Sequence, residues 1–241
     1  MIGTIINVVT VLVGGLLGSF LGNRLPEKMR QTVIWGLGLV TSVVGMQMAL
    51  QTGNVLLIMG SVLLGGVLGE WARIDDRLEA TGRWLEDRLG GKQGGEDGRS
   101  ITRAFVTASL VFCVGPLTIL GSIQDGLTGD YSLLAVKSML DGFAALAFSA
   151  TMGPGVLLSI LTVVFVQGGI SLTAMGVGEA LGEVTRETPW VIEMTAAGGV
   201  LMLGISLILL DLRRIRVANL LPAVLIAPLA QVLLKTLGVG L

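Results

Sequence analysis

Between Gln31 and Gly69 the chain runs 39 residues without a charged side chain, and between Gly142 and Gly178 it runs another 37. Runs of this length, rich in Leu, Val, Ile and Gly, have no place in a water-soluble core. About 20 apolar residues cross the hydrocarbon of a bilayer, and a spanning backbone must close its hydrogen bonds within helices. The composition agrees, with 52% hydrophobic and 14% charged residues and a mean hydropathy of +0.84, against about 25% charged residues in ordinary soluble domains. The sequence therefore predicts an all-α integral membrane protein, and the lipid bilayer is its first partner.

On this ruler eight transmembrane spans are expected, near 2–22, 32–50, 54–72, 103–121, 132–150, 155–175, 190–210 and 217–237. They group into an N-terminal three-helix unit (1–72), a polar connector (73–102), a central helical hairpin (103–150) and a C-terminal three-helix unit (151–241). Of the 16 lysines and arginines, 13 fall in the first loop (Arg24, Lys28, Arg30), in the segment from Arg73 to Arg103, and after the seventh span (Arg213, Arg214, Arg216). By the positive-inside rule these loops share the cytoplasmic side and both termini lie outside. The first residues run straight into an apolar stretch with no basic leader or Ala-x-Ala site, so the first span is expected to stay in the protein.

Charge and residue inventory exclude several functions. A net charge of −1 offers nucleic acid no basic surface. With one cysteine and no histidine, intrachain disulfides, thiolate–histidine catalysis and common zinc ligand sets are ruled out. No metal site, cofactor or catalytic residue is expected. Rhomboid-type proteolysis lacks its histidine. Gly126-Leu-Thr-Gly-Asp130 has one residue too many for the presenilin-type Gly-x-Gly-Asp signature. Asp141-Gly-Phe-Ala-Ala145 begins like a CDP-alcohol phosphotransferase motif but continues with Leu146 in place of arginine. No Walker A motif is present.

Glycine supplies 36 residues, many inside spans, where small side chains let helices approach closely. Val11-Leu-Val-Gly-Gly-Leu-Leu-Gly18 in the first span is answered by Val62-Leu-Leu-Gly-Gly-Val-Leu-Gly69 in the third, which marks Gly14, Gly18, Gly65 and Gly69 as packing positions. Looser echoes relate the first span to the sixth and the second to the seventh. They fit an inverted repeat of three helices on either side of a central hairpin, although shared glycine-rich composition produces the same echoes. Self-association through glycine faces is compatible with the pattern. In the connector, Ile74, Leu78, Leu85 and Leu89, with Trp84, mark one face of an amphipathic helix. It is read either as interfacial or as a soluble connector, followed by a Gly-rich linker from Gly90 to Gly98.

The central hairpin carries the polar chemistry. Asp141 is about 14 Å from either end of its span at 1.5 Å per residue, close to the midplane, and Lys137 sits one turn earlier on the same face. Ionisable groups at that depth mark ion, proton or substrate paths, or a specific pairing that fastens helices. Gly115, Pro116 and Gly121 are expected to break or loosen the fourth helix. A broken or re-entrant stretch from Gly121 to Gly129 would place Asp125, with Gln124, at an outer mouth. Asp130 reads as part of an ordinary turn. Ser138, Asn7 and Gln167 join Asp141, Lys137, Asp125 and Gln124 as pathway candidates; Gln47, Thr107, Ser109 and Gln231 fit interhelical packing better. Pro222 and Pro228 are expected to kink the last span. Glu179, Glu183, Glu187 and Glu193, with Asp125 and Asp130, form an acidic outer side that would mildly concentrate cations, or simply a solvated face.

The stretches Phe105-Val-Thr-Ala-Ser-Leu-Val-Phe-Cys-Val-Gly115, Ile119-Leu-Gly-Ser-Ile-Gln-Asp-Gly126 and Lys137-Ser-Met-Leu-Asp-Gly-Phe143, with Gly3-Thr-Ile-Ile-Asn7 and Leu64-Gly-Gly-Val-Leu-Gly-Glu70, resemble the YqgA/YdfK-like family of uncharacterised prokaryotic membrane proteins. The resemblance implies a bacterial or archaeal inner-membrane protein and brings no substrate or residue roles with it. Two functions of different class fit the residues. One is a secondary transporter or channel for a small solute or ion, with a cation or proton favoured and Asp141 as coupling group. The other is a membrane scaffold whose buried charges hold the bundle together.

Overall fold

The computed structural model describes residues 1–22, 24–88, 100–181, 185 and 187–237. Ten α-helices account for most of them: α1 (Ile2–Gly22), α2 (Glu27–Ala49), α3 (Val55–Ala72), α4 (Ile74–Arg88), α5 (Ile101–Val114), α6 (Pro116–Leu127), α7 (Ser132–Met152), α8 (Ser159–Leu181), α9 (Pro189–Leu209) and α10 (Pro222–Thr236). Short 3-10 turns, Pro154–Leu158 and Val217–Leu220, precede α8 and α10. There is no strand among the described residues. Among the described residues seven stretches are long and apolar enough to cross a membrane, and the bent pair α5–α6 brings the number to eight if it is one span. Large apolar side chains point outward from α1, α2, α3, α7, α8 and α10, as for Phe165, 77% exposed. A helix surface of that kind requires lipid or protein as its surroundings.

Local signals set the element ends. Asn54 caps α3 by accepting the Leu57 N–H at 3.1 Å. Arg73 ends α3 in the left-handed region (φ 51°), returning its N–H to the Glu70 carbonyl. Pro189 and Pro222 stand at the first turn of α9 and α10, where a missing N–H costs nothing. Pro222 thus starts a helix and does not kink one, while Pro228 lies inside α10.

The fourth span is not straight: α5 and α6 meet at Gly115 with a bend of 60°. Pro116 has no N–H to give the carbonyl of Phe112 four residues earlier, and the Thr118 hydroxyl donates to that carbonyl at 2.9 Å instead. Beyond the bend α6 runs unbroken through Gly121 to Leu127, so the expected re-entrant stretch from Gly121 onward is helix. Gly121 is a packing position, since a Cβ there would press on Leu134 of α7.

The chain forms two compact units, neither contiguous in sequence. One comprises Met1–Ile34, Leu78–Cys113 and Leu117–Glu183; the other comprises Trp35–Arg77, Val114–Pro116 and Val184–Leu241.

In the first unit, α1 lies along α7 with backbone against backbone. A Cβ at Gly14, Gly18 or Gly22 would collide with the carbonyl of Gly142, Leu146 or Ala150 respectively. Both series advance by four, so the two helices are parallel and the glycine face of α1 fits one row of α7. Gly82 of α4 packs on Thr102 and Phe105 of α5, and Glu86 accepts the Thr102 hydroxyl at 2.5 Å. The inward positions of α4 are therefore Gly82 and Glu86. Ile74, Leu78 and Leu85, on the adjoining stripe, are half-buried, and Trp84 is exposed beneath the Arg88 guanidinium. Leu89 and the Gly90–Gly98 linker lie outside the described residues.

In the second unit the repeated motif is used in the same manner. Gly65 of α3 abuts the Ala223 backbone, and Gly69 abuts the Asn219 carbonyl, with antiparallel register against α10 and the turn before it. The Asn219 side chain then donates to Glu70 at 2.6 Å and accepts the Asp75 N–H at 2.8 Å, and Arg216 donates to the other Glu70 oxygen at 2.7 Å. Gly45 and Gly199 bring α2 and α9 together. Ala196 and Ala197 join Leu57, Ile58 and Ala227 in a small apolar core.

Candidate functional site

The first unit holds an unusual density of polar side chains at its centre. On α7, Lys137 and Asp141 are both buried and form an ion pair one helical turn apart. The spacing is that of i,i+4 neighbours on one face, so the pairing is dictated within α7 itself. The third member comes from far away in sequence: the fully buried Asn7 of α1 donates to Asp141 Oδ2 at 2.9 Å. The glycine row of α1 is what allows this. With no side chains at positions 14, 18 and 22, α1 sits close enough to α7 for a short carboxamide to reach the carboxylate. Ser138, also fully buried, turns its hydroxyl back to the Leu134 carbonyl. Cys113 of α5 is within electrostatic range of both Lys137 and Asp141.

A second acid of the same unit is buried as well. Asp125 of α6 is buried, its side chain 1% exposed, and the Met1 amine lies 2.8 Å from its Oδ1. Apart from that amine, the carboxylate has no hydrogen-bond partner. Gln124, its neighbour, is only partly buried. α6 and α8 touch through small residues, with the Ser171 hydroxyl donating to the Ser122 carbonyl at 3.0 Å and Gly126 against the Ser171 backbone. Gln167, one turn before Ser171 on α8, is completely buried, and neither its amide oxygen nor its amide nitrogen has a partner. The Ser122 hydroxyl, the Thr4 hydroxyl and the amide oxygen of Asn7 are likewise buried and unpaired. Each such atom costs about 1–3 kcal/mol unless something pairs with it. Water or a bound molecule is the usual answer.

Of the residues singled out in the sequence, Asn7, Lys137 and Asp141 thus meet directly, Ser138 is buried on the same helix, and Asp125 and Gln167 stand on α6 and α8 of the same unit. Sequence reading passed over Ser122 and Thr4; their burial beside helical glycines was the available signal. Thr107 is buried, and Ser109 bonds the Thr162 hydroxyl at 2.9 Å, an interhelical tie. Gln47 is exposed.

The acidic outer face needs correction at Glu193. That carboxylate is buried in the second unit and accepts the Thr52 hydroxyl at 2.6 Å, so it adds nothing to a solvated surface. A position one turn into α9 keeps it beside the positive end of the helix. Glu187 is exposed. The Glu179 side chain and Glu183 lie outside the described residues. Asp130 is exposed in the turn before α7, where the Ser132 hydroxyl and backbone N–H donate to its carboxylate at 2.6 and 2.9 Å. Those two bonds hold its pKa below the ordinary carboxylate value. Among the described residues no three Cys, Asp or Glu side chains gather to hold a metal ion.

Known proteins resemble this chain along its length. It is 27% identical over 243 residues to "Uncharacterized membrane protein YdfK" of Bacillus subtilis (strain 168), covering 99% of both chains. It is 28% identical over 226 residues to "Uncharacterized protein YqgA" of Escherichia coli (strain K12), covering 94% of each. No solved structure matches. Residues 2–232 match the family described as "Protein of unknown function (DUF554)", and the chain belongs to that family.

Proposed function

We propose that this membrane protein is a permease or channel for a small solute or ion, with Asp141 as the group that couples or coordinates and a cation or proton as the favoured ion at it. The observation that carries the reading is the burial of Lys137, Asp141 and Asn7 together inside α7 and α1, two helices apolar enough to span a bilayer. Charges at that depth are costly and are retained where a path or relay uses them. The bend between α5 and α6 supports it, since broken helices are tolerated at depth beside water or protein and recur around transport sites. Lys137 modulates Asp141 by competing for its carboxylate, and Asp125 lies toward the entrance. In this reading the basic loops face the cytoplasm of a prokaryotic cell, across the inner membrane, and both termini lie outside.

A second reading is favoured by one specific fact: Asp141 already has both Lys137 and Asn7 as partners, as a purely structural fastening would. Purified protein in liposomes separates the two. Flux of protons, alkali cations or small organic acids that Asp141→Asn abolishes, with the variant as stable as wild type, supports transport. No flux of any of these, nor of a small neutral solute, from the wild type refutes it.

A further inference from the structure

The ion pair is not the only polar feature of the first unit, and the rest has a different chemical character. Gln167, Ser122, Thr4 and the free oxygen of Asn7 are all neutral, buried and without protein partners. Contacts in the structure place them at adjoining levels of three helices. Ser171, one turn from Gln167 on α8, bonds the Ser122 carbonyl of α6. Gly168, next to Gln167, faces the Met1 side chain at the start of α1, with 3.6 Å from its Cβ position to the methyl carbon. Thr4 and Asn7 follow Met1 by about one and two turns, and Asn7 ends on Asp141.

We propose that these atoms form a seat for an uncharged, hydrogen-bonding small solute, of the amide or polyol class, next to the ion pair. This rests on the transport reading and names its substrate class. The argument is one of donor and acceptor balance. Gln167 offers both an N–H donor and a carbonyl acceptor, the two hydroxyls offer either, and Asn7 offers an acceptor. A bare cation would leave the Gln167 amide donors unmet, and an anion would leave the Gln167 and Asn7 oxygens unmet. The formal charges around the seat pair off, Lys137 with Asp141 and the Met1 amine with Asp125. A molecule carrying both donors and acceptors, such as a small amide or a polyol, answers both kinds of group in the seat, and a site built to bond such groups discriminates strongly against molecules lacking them.

The test uses the full chain in liposomes, with swelling followed by light scattering after a shift into urea, acetamide or glycerol, and parallel flux of sodium, potassium and acetate ions. The proposal expects at least one neutral probe to enter well above the rate of protein-free liposomes. It further expects Gln167→Leu and Ser122→Ala each to slow that entry about tenfold or more, and Gln167→Leu to melt no lower than wild type. If Gln167→Leu does not fold, Ser122→Ala carries the test. Entry of ions without entry of any neutral probe overturns the substrate class and leaves the transport reading standing. Neutral entry unchanged in the variants overturns the seat, and no movement of any probe overturns both.

Discussion

Asn7, on the first helix, donates a 2.9 Å hydrogen bond to Asp141, 134 residues away and about 14 Å into its own helix at 1.5 Å per residue. This bond ties two helices packed backbone against backbone through a buried carboxylate that also carries a lysine. Loss of either charge alone leaves the other stranded. Lys137→Met should therefore cost on the order of 3 kcal/mol, whereas Lys137→Met combined with Asp141→Asn should cost less than the sum of the two single changes. A double-mutant cycle on melting in detergent measures this; additive losses would mean that the pair is not coupled.

The glycine row predicts a contrast inside one fold. Gly18→Ala drives a Cβ into the Leu146 carbonyl and should cost at least about 1–3 kcal/mol, the usual penalty of overpacking. Gly60→Ala on α3 has nothing within 4 Å to meet and should be neutral, or stabilising by up to about 1 kcal/mol. Melting temperatures of the two variants, compared with wild type, decide it.

Asp130 gives a pH prediction with a definite sign. Its folded pKa lies below the ordinary value of 3.8, so its contribution to stability is present above that value and fades as pH falls through the lower folded pKa. Ser132→Ala removes the hydroxyl donor and leaves the backbone one. The carboxyl carbon of Asp130, followed by NMR, should then titrate at higher pH than in wild type.

Orientation is testable in intact cells. A cysteine replacing Thr128, in a Cys113→Ser background, should react with an impermeant thiol reagent from outside, and one replacing Gly94 should not. The reverse pattern would invert the topology argued from the basic loops.

The sequence made legible what a single helix contains and left hidden what distant helices share. Lys137 and Asp141 could be paired from their spacing because a helical turn brings i and i+4 together. Asn7 could be noticed as a polar residue in a span, but its partner depends on how α1 packs on α7. The repeat around Gly14 and Gly65 announced close packing without saying against what, and the two copies use different partners, Gly142 in one unit and Ala223 in the other. Gly82 was silent for a related reason: the apolar stripe of α4 was legible, but not that the glycine beside it is where α5 packs. Glu193 looked solvated because acids near span ends usually are; its burial follows from the Thr52 turn that meets it.

The central claim is that the polar centre around Asp141 opens to water and is not a dry fastening. A cysteine in place of Ser138, the buried residue between Lys137 and Asp141, in a Cys113→Ser background, measures this directly in proteoliposomes. The account predicts that a small hydrophilic thiol reagent modifies it from at least one side of the membrane. A folded protein in which this cysteine reacts from neither side, until detergent or denaturant exposes it, would contradict the account.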